Sequence, residues 1–217
     1  MDAVAQLRLQ QIFDSQFPVG AFAHSGGIET YASLGGGLAE LSDVLRGQIA
    51  LGWGRSELGA AHLAWRAVDN GASPLFPLAR ELDAVKVVPA VRNASIGLGR
   101  RTLELLRRLY PDAVVEVDPP HHAVIVGGAA RRLGIPVHQL LLAYGQSMAM
   151  GTVAAALRCM PVSPAQAQLL LGEVHADLAH AVQRALQDPV GALFTCTPAL
   201  DIRSHEQAFL RTRLFQS

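Results

Sequence analysis

An all-α fold is what this sequence predicts: a single compact domain of roughly eight to ten helices, spanning residues 1–217. Three observations carry the prediction. Apolar residues recur at steps of three and four through most of the chain, as the buried face of a helix requires. Helix-start chemistry is written repeatedly, in pairs such as Ser163-Pro164. Strand-like composition occurs once, in the isolated "AVVEV" of Ala113–Val117, where a lone strand has no neighbour to satisfy its edges.

Taken in order, the elements read as follows. The opening "MDAVAQLRLQQIF" begins with an acid and has no apolar run ending in a small-residue cleavage site, so no signal peptide is read and a cytoplasmic location is expected. A helix through "IETYASL" is stopped by Gly35, Gly36 and Gly37. Ser73-Pro74 marks a further helix start. Basic residues cluster from Lys86 to Arg108 (Lys86, Arg92, Arg100, Arg101, Arg107, Arg108), and without interleaved aromatics they read as a solvated helix face.

From Leu133 to Leu157, 25 residues pass without Asp, Glu, Lys or Arg. A bilayer span needs about 20 mostly apolar residues. Pro136, His138, Gln139, Gln146 and Ser147 interrupt the run, so it reads as a buried central helix. Its Gly145, Ala149 and Ala156 make a small-residue face that suits close packing in a dimer. Ser163, Pro164 and Gln166 then form a capping box. Leu171, Val174, Leu178, Ala181, Val182 and Ala185 follow as one helical stripe. Ser204 and Gln207 read as a second capping box, opening a short last helix with Leu210 and Leu214 on one face. No repeat or linker divides the chain.

Composition narrows the function. Half the residues are hydrophobic and 17% are charged, where about 25% charged is usual. Either the core is very large or apolar surface is kept for a partner. Eighteen basic residues balance eighteen acidic ones, so neither nucleic acid nor an anionic membrane is an expected partner. Cys159 and Cys196 lie far apart without metal spacing and read as reduced thiols.

Catalytic motifs are absent from the sequence. No GxxxxGK[ST] occurs, the doublets Gly26-Gly27 and Gly127-Gly128 lack a following lysine, and there is no GxSxG or HExxH. Two metal possibilities stay open as an alternative, a helical metal-dependent enzyme or a metal-storing chaperone. His121-His122 follow Asp118-Pro119-Pro120 and read first as a surface loop. Glu173, Asp177 and His180 share a helix face and read first as solvated polar residues. An interaction protein, and no enzyme, fits the composition better. The apolar and arginine-bearing end "EQAFLRTRLFQS" supports that reading, since aromatics and Arg are favoured interface anchors.

The segment Gln16–Gly37, "QFPVGAFAHSGGIETYASLGGG", packs six glycines, a proline, two phenylalanines and a histidine into 22 residues. Within it "FPVGAFAHSGGIETY" resembles the N-terminal signature of the urease accessory protein F (UreF) family, through Phe17, Pro18, Val19, Gly20, Ala21, Phe22, Ser25, Gly27, Ile28 and Glu29. "VRNASIGLGRRTL", "HHAVIVGGAARRLGI" and the closing "DIRSHEQAFLRTRLFQS" are similar to further family segments, so the resemblance covers nearly the whole chain. "PVSPAQAQ" departs from the family pattern, with Ser163 and Ala167 at glycine positions.

The resemblance implies an all-helical, non-catalytic homodimer that assembles the nickel centre of urease. Its expected partners are the accessory protein D/H, the nickel-carrying GTPase G and apo-urease. It would bind no cofactor tightly, the complex would handle nickel, and a tunnel through that complex is a proposed metal route. The expected partner-binding residues are Phe17, Pro18, Gly20, Phe22, His24, Ser25, Gly27 and Glu29, with Arg211, Arg213, Leu214 and Phe215 in a C-terminal segment from about residue 201. Phe22 and Arg213 lead that set. Physically, Pro18 and Gly20 would fix a turn that presents Phe22, while Ser25 would cap the helix that begins near Glu29. Arg213→Ala, or loss of the last dozen residues, would abolish D/H binding and leave helicity intact.

Overall fold

A computed structural model describes residues 1–21, 24–68 and 75–215. The Ser73-Pro74 helix start therefore lies outside the described residues. Among those described, eleven α-helices and no strand are present. They are α1 (Ala3–Ile12), α2 (Ile28–Ser33), α3 (Leu38–Leu51), α4 (Trp53–Ala67), α5 (Leu75–Val85), α6 (Pro89–Leu109), α7 (His122–Arg132), α8 (Val137–Cys159), α9 (Pro164–Glu173), α10 (His175–Gln187) and α11 (Pro198–Glu206). The all-α architecture is the expected one.

The centre of the fold is the pair α4 and α7, with α3, α5, α8 and α10 packed around α4 and α6 beside α7. Both central helices are buried on most sides, mainly through apolar or small residues, as a helix surrounded by others requires. Eight consecutive residues of α7, Ala123–Ala130, are buried. Gly127 lets the two backbones approach: a methyl there would stand 2.3 Å from the Ala61 carbonyl oxygen and 2.9 Å from Ala64 Cβ.

That approach gives a paired prediction. Neither a carbonyl nor a Cβ can rotate aside, so Gly127→Ala must spread α4 from α7, and overpacking of this kind costs about 1–3 kcal/mol. Gly151→Ala on α8 meets nothing within 4 Å, and gains the propensity difference of about 0.8–1 kcal/mol. Urea midpoints of the two variants should move in opposite directions. A Gly127→Ala midpoint at or above wild type would show that α4 and α7 are not held this close.

The extended segment after the 3-10 turn Pro111–Ala113 does not pair as a strand. Val115 and Val117 are buried, with Val115 filling the space above Gly128, and Arg107 holds Glu116 through both carboxylate oxygens at 2.8 Å. Alternating burial on a helix surface, without ladder partners, accounts for the strand-like composition.

Three further expectations are corrected by packing. The stripe from Leu171 to Ala185 is buried as expected, but Val174 divides it between α9 and α10. Gly145, Ala149 and Ala156 are buried within the chain, and a methyl on Gly145 would meet Leu178 of α10 at 2.5 Å, so this face is used internally. On α8 as a whole, burial is one-sided: Leu140, Leu141, Tyr144 and Val153 are buried while Met150 is 42% exposed. It is the one helix among the described residues long and apolar enough to cross a membrane.

Candidate functional site

The N-terminal signature begins with two anchors. Phe17 and Val19 are buried in the core cluster, leaving Pro18 and Gly20 exposed between and after them. Gly20 has φ +74°, a left-handed conformation that favours glycine. Arg101 of α6 donates from Nε to the Val19 carbonyl, which pins the turn. Phe22, the leading aromatic of the sequence expectation, lies outside the described residues. His24 is half-buried. Burial, and then the nearby Arg101 charge, hold its imidazole below the ordinary value.

Beyond His24 the expected cap is replaced by a longer-range arrangement. Gly27, at φ +93°, occupies the N-cap position of α2, and no side chain caps it. Ser25 instead donates from Oγ to Gln207 Oε1 at 2.7 Å, and the Gly27 N–H reaches the same oxygen at 3.2 Å. Glu29, in the first turn of α2, is buried. One of its oxygens accepts from Gln207 Nε2 at 3.0 Å, and the other accepts from the backbone N–H of Leu214. Thr30 Oγ1 donates to the Arg203 carbonyl at 2.8 Å.

These bonds join residues nearly the whole chain apart, and they explain why the C-terminal capping box does not form. The last helix begins at Pro198, with Thr197 before it. Ser204 therefore lies in the final turn of α11 and packs over Gly27, where a methyl would stand 2.8 Å from Ser204 Oγ. Gln207 is the first residue of a 3-10 turn, Gln207–Phe209. Leu210 and Leu214 are not helical.

From Arg211 to Leu214 the chain end is exposed. Phe209 is 78% and Leu214 70% exposed, and Arg211 and Arg213 are also exposed. Phe215 is 5% exposed, with the Arg158 guanidinium 5.7 Å from its ring centre. Of the expected partner-binding residues, the structure thus brings Ser25, Gly27, Glu29 and Leu214 together. It turns Arg211, Arg213 and Leu214 outward, and it buries Phe17 and Phe215 in their own domain. Cys159, on α8, has its thiol pushed up to about 11 by burial and then by the Glu29 carboxylate. A thiol so raised is a poor nucleophile and a poor metal ligand near neutral pH.

Beside this surface lies a cavity of about 240 Å³ bounded by His24, Ser25 and Ile28 on one side and Leu200, Asp201 and Ser204 on another. Its interior carries a buried ion pair, Lys86 with Glu57, and Tyr144 donates to the second Glu57 oxygen at 2.9 Å. Burial alone would raise the Glu57 carboxyl, but the Lys86 charge and the hydrogen bonds from Lys86 and Tyr144 outweigh it and hold the group below its ordinary value. His122 stacks edge-on against Tyr144 at 5.3 Å. Burial, against an opposing pull from Glu57, lowers it to about 4.

The two metal possibilities fare differently from their sequence reading. His121 is not on a surface loop: it is fully buried, with Nδ1 3.1 Å from Ser95 Oγ and Nε2 3.2 Å from Asp83. Both ring nitrogens are thereby occupied. Glu173 closes α9 while Asp177 and His180 belong to α10. Arg46 of α3 bonds both carboxylates, so that face is an ion-pair network. Among the described residues no group of three His, Cys, Asp or Glu side chains is placed to hold a metal ion.

Gln207, Ser204, Glu57, Lys86 and Tyr144 were not legible as site residues. Lys86 in particular is buried and precedes α6, so the basic cluster is not one solvated face. Arg92 is drawn to Asp83, Arg101 to Val19, and Arg107 to Glu116.

Comparison with known proteins is consistent along the chain. The UreF family model matches residues 37–175. The urease accessory protein UreF of Paenarthrobacter aurescens (strain TC1) is 31% identical over 231 residues, covering all of both chains. The protein of the same description from Actinobacillus pleuropneumoniae serotype 3 (strain JL03) is 28% identical, over 96% of this chain and 97% of its own. That of Arthrobacter sp. (strain FB24) is 31% identical, over 98% and 97%. The surface built by residues 17–21, 24–29 and 207–215 lies outside the span of the family model, while the alignment to the Paenarthrobacter protein runs through it.

Proposed function

The chain belongs to the UreF family, and on that premise we propose that it is a urease maturation factor that acts by binding in the cytoplasm, without catalysis of its own. In this reading it works as a homodimer. It docks the accessory protein D/H, recruits the nickel-carrying GTPase G and presents the assembly to apo-urease. Nickel is cargo of the complex, and this chain holds no cofactor tightly.

The observation that carries the reading is the meeting of the two chain ends. The signature loop and the C-terminal segment are joined through Gln207 and Glu29, and Phe209, Arg211, Arg213 and Leu214 project from the junction. Exposed aromatic and arginine side chains on a held scaffold are what a docking surface requires, because ordering before contact lowers the entropy lost on binding.

Co-expression with the cognate D/H protein and the GTPase, followed by size exclusion with light scattering, tests this. A complex holding two copies of each protein is the expected result. An intact, folded chain that elutes free of both would overturn the docking role.

A further inference from the structure

We propose that Gln207 is the positioning residue that makes the two chain ends one surface, so that the signature loop acts on partner binding through the tail. The inference rests on the docking role proposed above. Its chemistry is specific to an amide. Oε1 accepts twice, from Ser25 Oγ at 2.7 Å and from the Gly27 N–H at 3.2 Å, while Nε2 donates to Glu29 at 3.0 Å. A backbone N–H only donates, so Gly27 fixes which end of the amide faces the loop. The donating end then meets a carboxylate, whose other oxygen takes the Leu214 N–H. Loop, amide, carboxylate and tail form one chain of bonds.

The site is also dry. Gln207 is 1% exposed and Glu29 6%, so groups left unpaired there lose their bonds without regaining water. Phe209 and Leu214, the two most exposed apolar residues of the tail, flank this attachment. Their placement is set by it: Gln207 itself opens the turn that carries Phe209, and Leu214 is bonded through its own N–H. Leucine fills the same volume as glutamine and makes none of these bonds. Glutamate keeps the two acceptor roles but sets its charge against Glu29.

Exchange of the pair separates bonding from volume. In Glu29→Gln/Gln207→Glu, residue 29 can donate to residue 207 and still accept from Leu214, while residue 207 still accepts from Ser25 and Gly27. Hydrogen exchange of the isolated full-length chain, read by mass spectrometry, is the first measurement. In Gln207→Glu, peptides over 24–28 and 208–215 should exchange roughly tenfold faster, the scale of one lost charge-assisted hydrogen bond, with α4 and α7 unchanged. The double variant should return both peptides to wild-type rates. Gln207→Leu should behave as Gln207→Glu, and it substitutes for that variant if the latter does not fold.

Unchanged exchange in the single variants, or a double variant as fast as Gln207→Glu, would overturn the inference. Capture of the D/H protein should follow the same order, lost in the single variants and recovered in the double. Capture unaffected in every variant, despite faster exchange, would also overturn it. If wild type captures nothing, the docking role falls, and the exchange data alone still decide whether Gln207 joins the two ends.

Discussion

Replacing Lys86 with methionine is expected to cost about 3–5 kcal/mol of unfolding free energy at neutral pH, the scale of removing one partner from a buried ion pair. Glu57 is 3% exposed and Lys86 7%. Methionine keeps the length of the stem, so the loss is electrostatic and leaves no large void. Its pH dependence has a definite sign. In the wild type Glu57 titrates below its ordinary value, so its contribution is present above the unfolded carboxyl's pKa and is lost as pH falls through the folded value. Without Lys86, burial dominates and raises the carboxyl. The ionised form is then penalised, and protonation relieves it.

The deficit of Lys86→Met should therefore be greatest near neutrality and shrink as pH falls toward the ordinary glutamate value of about 4.3. Urea titrations of both proteins at several pH values measure this. A deficit that stays constant down to about that pH would show that Glu57 is not the group left unpaired. The double variant Lys86→Met/Glu57→Leu should regain most of the loss, since an apolar pair of matching volume in a core is often neutral or better.

How far the sequence revealed this molecule depended on the range of the interaction. The buried stripe of α10 and the capping box at Ser163 and Gln166, both local, follow from spacing alone, and the box is present with both bonds. Gly35–Gly37 end α2 as expected: Gly35 has φ +84°, and the Gly36 N–H returns to the Tyr31 carbonyl at 2.9 Å. Local rules misled where a distant partner outbid them. Ser25 has the right residue type to cap α2, yet Gly27 takes the cap position and the Ser25 hydroxyl bonds a residue 182 positions away. Ser204 and Gln207 have capping-box spacing, yet Pro198 had already opened the helix. Lys86 looked like one more solvated base because charge counting carries no burial. The signature loop was legible as functional through its composition and resemblance, but its contact with the tail is tertiary and has no periodic signal.

The second large effect concerns the tail. Arg213→Ala is expected to weaken capture of the D/H protein by roughly 30-fold or more, the scale of a binding hot spot of at least about 2 kcal/mol. Arg213 is exposed, so the thermal midpoint and helical circular dichroism of the variant should match wild type. Removing the last dozen residues is a different experiment from the one its sequence suggests. It deletes Gln207 and the buried Phe215, strands Glu29 and Ser25, and uncovers core beneath Arg158. That truncation should lose the partner and several kcal/mol of stability together, since removing a buried phenylalanine side chain alone costs about 3–5 kcal/mol. Arg213→Ala combined with Leu214→Ala keeps Gln207 and Phe215, and the Leu214 backbone N–H can still reach Glu29. It should therefore abolish capture with the stability preserved. Undiminished capture by this double variant would move the docking surface away from the tail, even if the truncated chain binds nothing, because the truncation would then be reporting on the fold.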